Sequence, residues 1–193
     1  MTSLSLKQAV SLAAVLNLAY FGVEFVVALH IGSLSLLADS ADFFEDAAVN
    51  FLVVAALGWS ARRRAQTGMF LSGFLLLPAV ATLWSLARKF FAPLPPEAVQ
   101  LTLTGLGALA INLFCAFLLV RFRHHGGSLT NAAFLSARND VVANIGIIGA
   151  GAVTALTRSI WPDIIVGLAI AAMNLDAARA VWTAAREEHR AEA

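Results

Sequence analysis

Apolar residues along this chain gather into six long stretches, and the polar or proline-rich segments between them are short. The stretches run approximately over residues 8–28, 34–59, 68–91, 98–120, 132–157 and 161–182. Each is long enough, at ~20 residues rising ~1.5 Å apiece, to cross ~30 Å of hydrocarbon as a helix. The breaks carry their own signals. Pro93, Pro95 and Pro96 remove backbone donors and clash with a preceding turn, so no helix continues through them. His124, His125, Gly126, Gly127 and Ser128 form a polar, glycine-bearing loop, and Ser159 to Pro162 make a tight connection. No internal repeat or low-complexity tract interrupts this order. The first apolar run is too long for a cleavable signal peptide, contains Glu24 and lacks a small-residue cleavage site.

Composition strengthens this reading. Hydrophobic residues make up 60% of the 193 positions and charged residues 13%, and the mean hydropathy is +0.80. That is more apolar surface than a soluble domain of this length buries. The expected class is an all-α integral membrane protein, with residues 1–193 forming a single transmembrane domain located in a cell membrane as a multi-pass protein (the inner membrane, for a Gram-negative source). A formal net charge of +1 with scattered basic residues argues against a nucleic-acid partner. The lone Cys115 excludes an intrachain disulfide. Lys7, Arg62, Arg63, Arg64, Arg121, Arg123, Arg186 and Arg190 fall on one side of the predicted topology, against Arg88, Lys89 and Arg158 on the other. The positive-inside rule then places both termini in the cytoplasm. About ten residues follow the sixth stretch, so no C-terminal cytoplasmic domain is expected.

The chemistry concentrates in acidic residues inside apolar stretches. Asp39, Asp42 and Asp46 lie within about 60° of arc at ~100° per residue, and a carboxylate in hydrocarbon costs several kcal/mol unless a cation or proton neutralises it. Asp42 and Asp46 are four apart, which stacks two carboxylates so that both reach one cation. In the fifth stretch Ser136 and Asp140 repeat that spacing, with Asn144 one turn further on. Two facing helices would then close a four-ligand cage. Gly146, Gly149, Ala150 and Gly151 are small enough to let neighbouring helices approach closely.

The run Gly32-Ser33-Leu34-Ser35-Leu36-Leu37-Ala38-Asp39-Ser40, followed by Asp42-Phe43-Phe44-Glu45-Asp46, resembles the second-helix signature of the cation diffusion facilitator, or cation efflux, family. In that family a His or Asp and an Asp four residues later face a second such pair on the fifth helix. Asp42 and Asp46 match the first pair. In the run from Phe134 to Asp140, Asp140 matches, but Ser136 stands where the family usually has His or Asp. Trp161-Pro162-Asp163-Ile164-Ile165 resembles the opening of the sixth helix. The resemblance implies a divalent transition-metal efflux transporter of minimal, membrane-only form, working as a homodimer. It puts zinc first, because that is the family's commonest cargo. Cadmium, manganese, cobalt and iron follow, and the loss of imidazole at Ser136 shifts the balance toward metals content with oxygen, such as manganese. The metal is cargo, and no resident cofactor is expected.

Each polar residue also has a plainer explanation. Asp39 sits nearer the outer end of its helix, as an accessory ligand or a solvated cap. Glu45 points about 100° away from Asp46 and has Arg138 as a partner of opposite sign, which reads as a structural pair. Asn139 and Asn144 are accessory ligand candidates beside Ser136, and His124 and His125 are candidates for transient metal recruitment or simply a solvated loop. Asn17 and Glu24, seven apart on one face, fit an interhelical hydrogen bond. Asp176 and Arg179 fit a local ion pair.

No G-x-S-x-G or Walker pattern is present, so the chain is not expected to be an enzyme. Like charges held close in a low dielectric retain protons, and a divalent cation displaces them. Opening such a site alternately to each side exchanges metal for protons, the membrane lipid enclosing the path. Two other classes remain beside this one. A proton-coupled organic-cation carrier would line its path with aromatic faces such as Phe43 and Phe44, and a non-transporting membrane metal-binding partner would follow if Ser136 disables the site.

Overall fold

The computed structural model describes residues 4–56, 76–91, 93–120, 122 and 127–173. Nearly all of them lie in helices: α1 (Leu6–Ile31), α2 (Leu34–Ala56), α3 (Leu76–Phe91), α4 (Ala98–Val120), α5 (Gly127–Thr157) and α6 (Trp161–Met173). No strand occurs among the described residues. One helix falls on each predicted stretch. Helix α1 starts two residues earlier than the apolar pattern indicates, because Ser5 and Gln8 form a capping box. The Ser5 Oγ accepts from the Gln8 N–H at 3.3 Å, and the Gln8 side chain accepts from the Ser5 N–H at 3.0 Å. It ends at Gly32, whose φ of 66° lets the Ser33 N–H turn back onto the Ala28 carbonyl at 3.0 Å. Glu97 caps α4 with both carboxylate oxygens, accepting from the Val99 and Gln100 N–H groups. Helix α5 begins at Gly127, five residues before the predicted start. Adding polar residues to an established helix is inexpensive compared with nucleating one.

Among the described residues, three segments are by themselves long and apolar enough to cross a membrane: Leu6–Ile31, Ala98–Val120 and Asn139–Thr157. Helix α2 is as long as α4 but carries Asp39, Asp42, Glu45 and Asp46, so its place in a bilayer depends on its neighbours. It has them on several sides, packing against α1, α3, α4 and α5. A cluster of Ala28, Leu36, Leu37, Leu101, Ile147 and Ile170 draws residues from α1, α2, α4, α5 and α6 into one core. Outward-facing Val15, Val23, Val26, Leu103, Leu113 and Phe117 leave α1 and α4 with apolar surfaces suited to lipid.

Small residues set two of the close approaches. A Cβ on Gly167 would lie 2.8 Å from the backbone of Leu34 and Ser35, so α6 crosses the start of α2 almost backbone to backbone. A Cβ on Gly151 would collide with Thr102 of α4. Of the four small residues expected to draw α5 close to its neighbours, Gly151 performs that task. Gly146 has only ordinary contact room beside Val166, and Gly149 faces open space.

Candidate metal centre

Helix α2 turns its acidic stripe inward. Asp39 is 0% exposed and Asp46 7%, while Asp42 is partly buried between them. Helix α5 supplies Asp140, 8% exposed, and Asn144, 0% exposed. Asp140 approaches Asp46 and Asp42 closely enough for the three carboxylates to act on one another electrostatically. The three aspartates expected to share an ion are therefore neighbours. At ~1.5 Å per residue Asp140 lies ~26 Å from the end of α5 and Asp46 ~18 Å from the start of α2. The ~8 Å difference is taken up by helix tilt or by α5 extending past the start of α2.

These acids have polar supports that sequence reasoning found only in part. The Asn17 amide of α1 donates to Asp46 Oδ2 at 3.4 Å, and Cys115 of α4 donates its thiol to Asn17 Oδ1 at 3.6 Å. Asn17 thus makes the interhelical bond expected of it. Asn144 donates to Asp39 Oδ2 at 2.7 Å and accepts from Asn112 of α4 at 3.2 Å. Asn112 and Cys115 went unassigned, although a lone Asn in an apolar helix is itself a signal of a buried polar contact.

Asp39 is not a solvated cap. It lies within α2, wholly buried, and Ser33 caps that helix, its hydroxyl accepting from the Leu36 N–H at 3.2 Å. Glu24 reaches across to Asp39 of α2, but neither of its carboxylate oxygens meets an N–H or hydroxyl donor. Asn139 is exposed, turned about 100° from the face that carries Asp140, and so does not join the acids. Phe43 and Phe44 pack at a tilt against Tyr20 and Phe21 of α1, with ring centroids 5.0 and 5.2 Å apart, an arrangement that commits both rings to helix packing. The side chains of Ser136 and Arg138, all of His124 and His125, and Asp176 with Arg179 lie outside the described residues, so neither the Glu45–Arg138 pair nor the fourth ligand is seen. Among the described residues, no three His, Cys, Asp or Glu side chains converge closely enough to hold a metal ion as they stand.

A second polar centre lies at the start of α2. Asp163 of α6, 0% exposed, accepts from Ser33 Oγ at 2.7 Å, from the Leu34 and Ser35 N–H groups at 2.8 and 3.0 Å, from Ser35 Oγ at 2.7 Å and from Lys89 Nζ at 2.6 Å. The pattern of the GSLS segment and of Asp163 seen in the sequence is thus a helix cap supplied by a different helix.

Residues 10–186 match the family model of the cation efflux transmembrane domain. The chain belongs to the cation efflux family. Similar proteins include the zinc transporter ZitB of Pectobacterium atrosepticum, 28% identical over 193 residues that cover 91% of this chain and 58% of that protein. The ZitB zinc transporters of Yersinia pestis and Yersinia pseudotuberculosis are each 26% identical over 169 residues, covering 81% of this chain and 53% of theirs. The chain therefore spans a little over half the length of the curated relatives it matches. The family's domain is a transmembrane one, which places the chain in a membrane as a multi-pass protein.

Proposed function

We propose that this cation efflux protein carries divalent transition-metal ions across the membrane in exchange for protons. Asp42, Asp46, Asp140 and Ser136 would bind the ion, and zinc is the first candidate cargo. The observation that supports this most directly is the burial of Asp46 and Asp140 against each other from two different helices. The two carboxylates are buried close together in apolar surroundings, and Asn17 supports Asp46 with a neutral amide. A divalent cation or protons balance their charge, and the alternation between the two is the exchange. Charge balance then has two carboxyl protons leave for each divalent ion bound.

In this reading residues 1–193 form one domain of six spanning helices with both termini cytoplasmic, and two copies associate as a homodimer. Ion binding draws α2 and α5 together until the acids and Ser136 share one ion, with Asn144 as an accessory ligand and His124 and His125 as recruiting residues at the loop. Glu45 and Arg138 pair to hold the helices in register. The names of the ZitB relatives favour zinc; the oxygen-rich ligand set leaves manganese, cadmium, cobalt and iron as further cargoes.

Flux measured in proteoliposomes tests the reading. Asp42→Ala, Asp46→Ala and Asp140→Ala each abolish zinc uptake, while the variants insert and elute as the parent does. Undiminished uptake by Asp140→Ala removes the two-helix site from consideration.

A further inference from the structure

Among the described residues, three carboxylate oxygens near the start of α2 have no hydrogen-bond donor: Oε1 and Oε2 of Glu24 and Oδ1 of Asp39. Both side chains are 0% exposed. They come from different helices and lie within hydrogen-bonding reach of each other, but with no donor between them. The surrounding polar groups are engaged elsewhere. Tyr20 donates its hydroxyl to the Thr104 carbonyl at 2.6 Å. The amide of Asn144 holds the other oxygen of Asp39 and is itself held by Asn112. This relay fixes the Asp39 side chain, leaving Oδ1 free beside Glu24.

A single shared proton bridges two oxygens and leaves the third orphaned, at a cost of about 1–3 kcal/mol or more for a charged group. A divalent cation takes all three, with Glu24 bidentate and Asp39 monodentate, and completes its shell with water. We propose that Glu24 and Asp39, oriented by Asn144, form a second divalent-cation site, separate from the Asp42, Asp46 and Asp140 group and one layer nearer the α1–α2 turn. Along α2 Asp39 lies ~5 Å from Asp42 and ~10 Å from Asp46, so the two ions occupy adjacent layers of one acidic stripe. The donors are all oxygen, which suits Mn2+ or Mg2+ better than a thiophilic ion. The site depends on the transport reading only in taking divalent ions to enter the bundle, and it is tested by binding rather than flux.

The full chain in lipid nanodiscs is titrated with Mn2+ and followed by electron paramagnetic resonance. The expected result is two ions per chain with dipolar-broadened lines. Glu24→Gln and Asp39→Asn each reduce this to one ion with narrow lines; the second variant keeps an acceptor for Asn144, so it serves if the first fails to fold. Asp140→Asn also leaves one ion, the one held by Glu24 and Asp39. Unchanged stoichiometry and line width in both Glu24→Gln and Asp39→Asn overturn the proposal, as does a parent chain whose one ion is lost with Asp140→Asn alone. A parent chain whose one ion is lost with Glu24→Gln and kept with Asp140→Asn upholds this site and overturns the reading of Asp42, Asp46 and Asp140 as the transport site.

Discussion

Asp163 meets the start of α2 at Ser33 to Ser35, four to six residues before Asp39, and these two buried acids are treated in opposite ways. Asp163 receives five donors, one of them the Lys89 ammonium, and both of its oxygens are in use. Asp39 has one oxygen held by Asn144 and the other with no donor, beside a Glu24 with none at all. Further down the same stripe, Asp46 and Asp140 face each other, supported by the neutral Asn17. The first arrangement satisfies its charge permanently and so fixes where α2, α3 and α6 meet. The second leaves carboxylate oxygens of Glu24 and Asp39 without donors where α1 and α2 meet, the condition that the proposed exchangeable ion needs.

Breaking the satisfied centre has the largest expected effect on the fold. Asp163→Ala leaves Lys89 buried without its partner and strips the first turn of α2 of its cap, a loss of ~3–5 kcal/mol by analogy with broken buried ion pairs. Thermal unfolding in detergent reads it as a lowered transition. Asp140→Asn in the same assay unfolds at the parent temperature or above it, because it removes an unbalanced charge. A melting temperature lowered as far by Asp140→Asn as by Asp163→Ala would erase the distinction between the two regions.

Acidity sharpens the comparison from the other side. Protons and metal compete for the carboxylates of the stripe, so acidifying the binding side weakens apparent metal affinity by about tenfold per pH unit for each proton displaced. A pH-sensitive dye inside the vesicles follows the counterflow of protons as metal enters. Metal flux that leaves internal pH unchanged under every gradient points to a uniporter or channel. The smallest effect belongs to Ser136. Replacing its hydroxyl with an imidazole, Ser136→His, shifts selectivity toward zinc over manganese by about tenfold, because the nitrogen is the better zinc ligand. Competition titrations on both proteins measure the ratio, and an unchanged ratio means that Ser136 does not face the ion.

The linear pattern of residues determined the elements and the inward stripe. Among the described residues a helix falls on each of the six apolar stretches, and the spacing of Asp39 and Asp46 on α2 and of Asp140 and Asn144 on α5 turns these residues inward. Both follow from local periodicity: the helix repeat alone decides which residues share a face, and the energy of charge in hydrocarbon decides which face turns inward. Contacts between distant segments were not readable in that way. The reach of Asp163 across 128 to 130 residues to cap α2, its pairing with Lys89, and the relay from Asn112 through Asn144 to Asp39 depend on helix order and close approach at Gly167. Seen along the chain, Asp39, Asp46, Asp140 and Asp163 are the same residue type in similar surroundings. Only the tertiary structure gives Asp163 five donors, a lysine ammonium among them, while Asp39 and Asp46 receive neutral amides, because a buried charge is satisfied by whatever helix packs against it and not by its neighbours in sequence.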